Sequence, residues 1–271
     1  MKFIPTFKKW RLKQFQFNFL ESDIERAIRK NEFLFYYQPE IDLKTGKTVG
    51  VEALMRWYHP EKGLIPPMEF IPLLEKTGLI KKLTPFLFSQ TMQDLNTLNK
   101  LGFKNLFMSV NLSIKQLQDS SLLNVIKTNL KKYKIKPSNY ECEITESEAF
   151  TDLSADLQVL QKIDKLKLRL SLDDFGSGYA SFDYLRALSI HKMKIDREFI
   201  ATVFDHEKNE IILSSIIELG HKLNLLVLAE GIETKEQEKW LKKQKCDMVQ
   251  GFYFARPMPL PELITFLKKN K

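Results

Sequence analysis

Apolar and polar residues alternate along this chain in stretches that predict strands and helices in turn. Residues 33–43 and 48–59 are predicted strands joined by a turn at 44–47, so we expect this first pair to be antiparallel. Strand and helix patterns then follow one another to the C-terminus. The further predicted strands are 106–113, 140–147, 169–175, 191–196, 225–233 and 247–254, and the helices that follow them are 120–133, 154–167, 182–188, 209–223, 234–244 and 260–269.

This alternation indicates parallel strands with helices packed outside them. About eight strands in roughly 250 residues is the size of a (β/α)₈ barrel. A doubly wound open sheet is the alternative, but no G-x-G-x-x-G turn follows an early strand. The pattern therefore favours a barrel.

The composition is that of a folded globular protein. The 271 residues are 44% hydrophobic and 28% charged, and only 10 are glycine, which argues against a turn-rich β-sandwich. No apolar run reaches the roughly 18 residues that a membrane span needs, and the N-terminus lacks the apolar stretch of a signal peptide. We therefore expect a cytoplasmic location.

The cysteines and the net charge say less about the function of the protein. Cys142 and Cys246 are far apart and form no CxxC motif, so reduced, packed thiols are expected rather than a zinc site or a disulfide. The net charge of +8 suits a phosphate-bearing ligand or an acidic surface, and a solvated basic surface explains it equally well.

The first 20 residues differ from the rest, because they carry basic and aromatic residues but no acidic ones. Contact with a membrane or a protein partner is one hypothesis for residues 1–20. The alternation at 15–20 is more typical of a strand than of a membrane helix. An extension that caps the barrel is therefore the favoured interpretation.

Polar residues recur at or near the ends of the predicted strands, where a barrel builds its active site. Taken singly, each has an ordinary explanation: Asp173 and Asp174 before Gly176 can form a turn, and Lys194 can extend to the surface. Their recurrence at the same end of successive strands is harder to explain in that way. The set is Glu52, Asn111, Glu143, Asp173, Asp174, Lys194, Glu230 and Gln250.

Such a cluster indicates a metal site. Carboxylates crowded into one cleft need a cation to offset their repulsion, and ligation by oxygen alone suits Mg²⁺ or Mn²⁺ rather than zinc. The adjacent aspartates can serve two neighbouring ions, which is the usual apparatus for hydrolysing a phosphodiester. The four histidines show no H-E-x-x-H spacing, and residues 176–178 form neither a nucleophile elbow nor a Walker A loop. A glycosidase needs two acids rather than this larger set.

The same residues lie in strings that resemble, in order, the EAL-domain family of cyclic-di-GMP phosphodiesterases. The tripeptide that names the family is Glu52, Ala53 and Leu54, and the resemblance runs from about residue 21 to the C-terminus. It implies a phosphodiesterase domain over 21–271 and a TIM-type (β/α)₈ barrel with an antiparallel first strand. The other matching strings are YYQP, SVNLS, EITES, LDDFGSGY, KIDREFI, AEGIET and QGFYFARPMP.

The resemblance implies a role for each residue at the site. One ion, Mg²⁺ or Mn²⁺, would be held by Glu52, Asn111, Glu143 and Asp173. Asp173 would bridge to a second ion held with Asp174 and Glu230. Lys194 would orient the attacking water, so the implied catalytic residues are Glu52, Lys194, Asp174 and Glu230.

The resemblance also implies substrate contacts and a support for the following loop. Arg56 would bind phosphate, for which its planar guanidinium is suited. Gln38 would contact a base, and Gln250 would hold the water network or the substrate. Glu146 would anchor the loop after the aspartate pair.

Some residues depart from the family pattern. Ser177 and Ala180 change the loop after the aspartates, and Ser189 and His191 change the segment before the KID motif, where dimer contacts are implied. Glu40 stands where an aliphatic residue is commoner. None of these changes replaces an implied metal ligand.

Two functions are compatible with these residues. The first is metal-dependent hydrolysis of cyclic-di-GMP to linear pGpG, which lowers the level of the second messenger. The second is a catalytically weak or inactive EAL-like receptor that binds cyclic-di-GMP or a protein partner. The intact ligand set favours the enzyme. Family analogy also implies a homodimer, and no DNA partner is expected.

Overall fold

A computed structural model describes residues 19–145, 153–176, 185 and 188–270, and for residues 153–155 it describes the backbone alone. The strands are β1 (Phe33–Asp42), β2 (Thr48–His59), β3 (Gly63–Ile65), β4 (Phe107–Asn111), β5 (Tyr140–Thr145), β6 (Arg169–Phe175), β7 (Lys192–Ile195), β8 (Leu226–Ala229) and β9 (Met248–Val249). The helices are α1 (Glu21–Lys30), α2 (Ile71–Thr77), α3 (Ile80–Lys100), α4 (Ile114–Leu117), α5 (Leu122–Tyr133), α6 (Leu153–Lys165), α7 (Arg197–Ala201), α8 (Glu207–Lys222), α9 (Lys235–Lys243) and α10 (Leu260–Lys269).

Eight of these strands close into a barrel in the order β1-β9-β8-β7-β6-β5-β4-β2, and β1 pairs with β2 to complete the ring. β1 is antiparallel to both of its neighbours, while the pairs from β2–β4 round to β8–β9 are parallel. The predicted TIM-type barrel with an antiparallel first strand is confirmed. The open sheet is excluded, because no edge remains between β1 and β2.

The C-terminal part of β2 extends beyond the barrel. The short strand β3 pairs with its last residues, from Trp57 to His59, beyond the ring. Glu52 is therefore the fifth of twelve residues of β2, and the expectation that it lies near the end of its strand is wrong. It still belongs to the barrel, because its neighbour across the sheet is Ser109 of β4.

Helix α3 is the main element that the sequence patterns do not name. Its buried residues include Leu87, Thr91, Leu95 and Leu98, which recur every three or four positions and pack against the strands. Pro85 and the polar Thr91 interrupt the apolar repeat, so the helix is less evident in the sequence than in the structure.

The end of the barrel opposite the C-terminal ends of the parallel strands is filled by Phe107, the first residue of β4. Its ring approaches Gly50 so closely that a Cβ atom there would lie 2.3 Å from the ring. Leu228 and Met248 pack beside it. Glycine at position 50 therefore makes room for the aromatic ring that closes the barrel.

Three further expectations can be compared with the fold. Both cysteines are buried free thiols, as predicted. For the N-terminal segment, the ring centroids of Phe19 and Trp57 are 4.3 Å apart. Residues 1–18, on which the interpretation of this segment mainly rests, lie outside the described residues. Among the helices that the structure describes, none has the length and apolarity needed to cross a membrane.

Candidate metal centre

Each of the eight barrel strands contributes one of the polar side chains that meet at the mouth. Because alternate residues of a strand face the same side, this layer is built from one residue per strand or from the residue directly after it. Most of these side chains are buried, while Asn111 is exposed at the rim. The layer consists of Gln38, Glu52, Asn111, Glu143, Asp173, Lys194, Glu230 and Gln250.

Lys194 lies at the centre of this layer. Its Nζ atom is 2.7 Å from Glu230 Oε1, 2.8 Å from Glu143 Oε2, 3.2 Å from Asp173 Oδ1 and 3.4 Å from Glu52 Oε2. Burial by itself would lower the pKa of Lys194, but these carboxylates outweigh burial and hold the pKa well above its usual value. The ammonium is therefore charged and draws four acids toward one point.

Glu52 is held as a carboxylate by two amides. Asn111 Nδ2 donates to its Oε1 at 2.8 Å, and Gln250 Nε2 donates to its Oε2 at 2.8 Å. Burial acts to raise the pKa of Glu52, but Lys194 and these hydrogen bonds lower it below the usual value. Gln250 also donates to Gln38 Oε1 at 3.0 Å, so one hydrogen-bonded chain joins side chains from four strands.

The aspartate pair lies on a bulge. The register between β6 and β7 shifts after Leu172, and Asp174 adopts a left-handed φ of 53°, which aspartate tolerates better than most residues. One carboxylate oxygen from each of Asp173, Asp174 and Glu230 lies within 4.8 Å of the others. The bulge thus places both aspartates on one side of a strand that would otherwise separate them.

The crowding of these acids shows in their pKa values. Burial, together with the charges of Asp173 and Asp196, raises the pKa of Asp174 to about 7. Burial raises the pKa of Glu230 to about 8, since the neighbouring carboxylates add to it and Lys194 offsets only part of the effect. The pKa of Glu143 is raised well above its usual value, first by burial. The positive charge of Lys194 by itself therefore does not offset the negative charge of these carboxylates.

The donor set fits hard divalent cations. Glu52, Glu143 and Asp173 form one group with oxygens within 4.8 Å of one another, and Asp173 is also part of the group with Asp174 and Glu230. Glu143 Oε1 is buried and receives no hydrogen bond from any residue that the structure describes. Ligation by oxygen alone suits Mg²⁺ or Mn²⁺, and Asp173 belongs to both groups of carboxylates.

The remaining predicted residues lie around this layer. Arg56 follows Glu52 by four positions on β2, beyond the rim, where its Nη1 donates to the carbonyl of Met55 at 2.9 Å. Gln38 Nε2 donates to the carbonyl of Ala255 at 3.0 Å. The predicted loop anchor Glu146, with Ser177 and Ala180, lies outside the described residues.

Two cavities flank the carboxylates. One of about 370 Å³ is lined by residues that include Met68, Asn111 and Glu143. The other, of about 270 Å³, is lined by residues that include Asp173, Glu230 and Arg197. Leu54 borders both. Arg197 was not predicted as a site residue; its position two residues after the strand that carries Lys194 is the signal that could have indicated it.

A second set of buried charges was also not predicted. Lys192, Glu141 and Glu40 lie inside the barrel beneath the first layer and are at most 1% exposed. Glu40 was noted only as a departure from the family pattern. The available signal was the spacing of two residues, since Glu141 precedes Glu143 and Lys192 precedes Lys194 on inward-facing positions.

The chain belongs to the EAL domain family, whose model matches residues 21–257. It is 36% identical over 242 residues to the bifunctional diguanylate cyclase/cyclic di-GMP phosphodiesterase MucR of Pseudomonas aeruginosa. The matched region covers 89% of this chain and 35% of MucR. It is 34% identical to the cyclic di-GMP phosphodiesterase NbdA of the same organism, over 92% of this chain and 32% of NbdA. The chain thus spans about a third of the length of these relatives.

Solved structures agree with this membership. A structure described as "PaMucR Phosphodiesterase, c-di-GMP complex" superposes with a TM-score of 0.84 at 36% identity, over 89% of this chain and 98% of that one. The EAL domain protein from Listeria monocytogenes EGD-e has a TM-score of 0.77 at 32% identity, over 93% of this chain and 99% of the other. The family predicted from the sequence strings is confirmed.

Proposed function

We propose that this chain is a phosphodiesterase that hydrolyses cyclic-di-GMP to linear pGpG with two divalent cations, Mg²⁺ or Mn²⁺. The observation that carries the proposal is that two groups of carboxylate oxygens share Asp173 at the mouth of the barrel. The names of MucR and NbdA support the substrate and the reaction.

The ligands divide between two positions in the proposed site. Glu52, Asn111, Glu143 and Asp173 would hold one cation, and Asp173, Asp174 and Glu230 would hold the other. Bound divalent cations supply the acidification of water and the neutralisation of phosphate charge that hydrolysis needs. The amides of Asn111 and Gln250 keep Glu52 in its ionised form, which is the form that ligates.

Lys194 acts on the reacting groups directly. Its ammonium contacts Glu143 and Glu230, one proposed ligand of each cation, and there it would orient the attacking water as a charged donor. The same charge stabilises the negative charge that develops on the phosphate oxygens. Because Lys194 is buried, water screens this interaction less than it would at the surface.

The two cavities support an extended substrate. A cyclic dinucleotide carries a base on either side of its phosphate ring, and each cavity borders a different part of the carboxylate cluster, one at Glu143 and the other at Asp173 and Glu230. Arg56 at the rim binds a phosphate group, while Gln38 contacts a base and Gln250 orients the substrate or its water. A homodimer, a cytoplasmic location and the lack of a DNA partner stay predictions from the sequence.

A hydrolysis assay tests the proposal. Purified protein is incubated with cyclic-di-GMP and either Mg²⁺ or Mn²⁺, and pGpG is measured by liquid chromatography with mass spectrometry. The variants are Glu52→Ala, which removes a proposed ligand, and Glu218→Gln, which neutralises an exposed acid on α8. We expect turnover by the wild type and Glu218→Gln, and none by Glu52→Ala.

The outcome separates the enzyme from the receptor. Calorimetric binding of cyclic-di-GMP by the wild type without formation of pGpG would contradict the enzyme and favour the non-catalytic receptor. Equal turnover by Glu52→Ala would contradict the assignment of the metal ligands.

A further inference from the structure

A second ionic layer lies directly beneath the proposed metal ligands. On the parallel strands, its members precede residues of the upper layer by two positions: Ser109 lies below Asn111, Glu141 below Glu143, Ser171 below Asp173 and Lys192 below Lys194. On the antiparallel β1, Glu40 follows Gln38 instead. Because β1 runs in the opposite direction, its residue in the lower layer comes after its residue in the upper layer.

Lys192 is the centre of this lower layer. Its Nζ atom lies 2.6 Å from Glu141 Oε1 and 2.8 Å from Glu40 Oε2. Ser109 donates a hydrogen bond of 3.0 Å to the other oxygen of Glu40. The ammonium is therefore tethered on two sides within the barrel.

Lys192 also reaches the layer above. Its Nζ atom is 3.5 Å from Glu143 Oε1, while Lys194 Nζ is 2.8 Å from Glu143 Oε2. Each oxygen of Glu143 thus faces a different ammonium, which fixes the plane of the carboxylate. At 3.5 Å the contact of Lys192 with Oε1 is an ion pair without a hydrogen bond, so Oε1 keeps its lone pairs for a cation.

We propose that Lys192, tethered by Glu40 and Glu141, is a positioning residue that orients Glu143 for cation binding. The inference rests on the proposed function, because it assigns Lys192 a role toward the same cation site. Lys192 does not touch the substrate. Residues that orient metal ligands in this way commonly change cation affinity or activity by about 10- to 100-fold when they are replaced.

The test separates positioning from simple structural support. Lys192→Met removes the ammonium and leaves Glu40 and Glu141 uncompensated. The triple variant Glu40→Leu, Glu141→Leu, Lys192→Met replaces the whole ionic group by apolar residues of similar size, a change that buried ionic groups often tolerate. Ser171→Ala is the matched control, because the Ser171 hydroxyl lies in the same layer and bonds no residue that the structure describes.

The dissociation constant of Mn²⁺ is measured by calorimetry without substrate, beside denaturant unfolding. We expect the constant to rise about 10- to 100-fold in Lys192→Met and in the triple variant, and by less than about twofold in Ser171→Ala. Saturating Mn²⁺ is expected to restore most of the turnover. The triple variant is expected to unfold at a denaturant concentration close to that of the wild type, so that its weaker binding is not a loss of folding.

A folded triple variant that binds Mn²⁺ as the wild type does would overturn the positioning role, even if Lys192→Met were too unstable to measure. A wild-type protein that binds no Mn²⁺ would instead overturn the proposed function, and with it the role of Lys192. The two failures are therefore distinguishable.

Discussion

Asp173 and Asp174 are consecutive residues of β6, yet their carboxylates approach the same point together with Glu230. In a regular strand the two side chains would face opposite sides of the sheet. The left-handed backbone of Asp174 and the shift of register toward β7 bring them together. The geometry that joins the two groups of carboxylates is thus built into the backbone of one strand.

The first prediction concerns this pair. Asp173→Asn removes charge from both proposed cation positions and Asp174→Asn from only one, so Asp173→Asn should have the larger effect. We expect kcat to fall at least about 100-fold in Asp173→Asn, the order seen when one charge-stabilising group is lost. Steady-state assays with Mg²⁺ measure this, with Glu218→Gln as the exposed control. Full turnover by both variants would be inconsistent with a shared ligand.

Lys194 should also determine how far stability depends on cations. In Lys194→Met the four surrounding carboxylates lose the ammonium that they share, and breaking a buried ion pair from one side costs about 3–5 kcal/mol. In EDTA, which removes divalent cations, we expect the free energy of unfolding of Lys194→Met to lie below that of the wild type by an amount of this order.

Saturating Mg²⁺ should recover part of that loss in Lys194→Met, because carboxylates that lack the ammonium bind the cation more tightly, and a ligand stabilises the folded state more as its affinity rises. The increase in Tm on adding Mg²⁺ should therefore be larger for the variant than for the wild type. An equal increase in both proteins would contradict the role of Lys194 as the compensating charge. Thermal melts with and without EDTA provide the comparison.

The closed end of the barrel provides a prediction about packing. Gly50→Ala places a Cβ atom 2.3 Å from the Phe107 ring, so we expect a loss of about 1–3 kcal/mol from overpacking. The double variant Gly50→Ala, Phe107→Leu should be more stable than the sum of the single changes predicts, because leucine vacates part of that space. Urea unfolding of the four proteins of this cycle measures the coupling, and strict additivity would refute the steric explanation.

The two thiols should be inert in the folded protein. Burial raises the pKa of Cys246 to about 12 and raises that of Cys142 as well, so near pH 8 both are protonated thiols rather than reactive thiolates. We expect no reaction with a disulfide reagent under native conditions and two equivalents in denaturant. Rapid modification of either cysteine in the native state would show that the barrel opens locally.

The extent to which the site was predictable differs between residues. The alternation of strands and helices indicated the barrel, and the recurrence of polar residues at strand ends indicated its mouth. Glu143, Asp173 and Lys194 lie at the mouth for that reason. Glu52 was predicted at or near the end of its strand, but β2 continues to His59, because the sequence does not show where β2 stops pairing with β4 and begins to pair with β3.

The sequence by itself determined the period of each element and the chemical kind of the polar residues, since both are local properties of the chain. Only the tertiary structure decided which residues meet. Lys192 and Glu40 are 152 positions apart, and their pairing follows from the closure of β1 onto β2 and β9. The bulge that turns Asp174 toward Glu230 depends likewise on how β6 pairs with β7. Contacts between strands arise from register around the ring, which no single stretch of sequence contains.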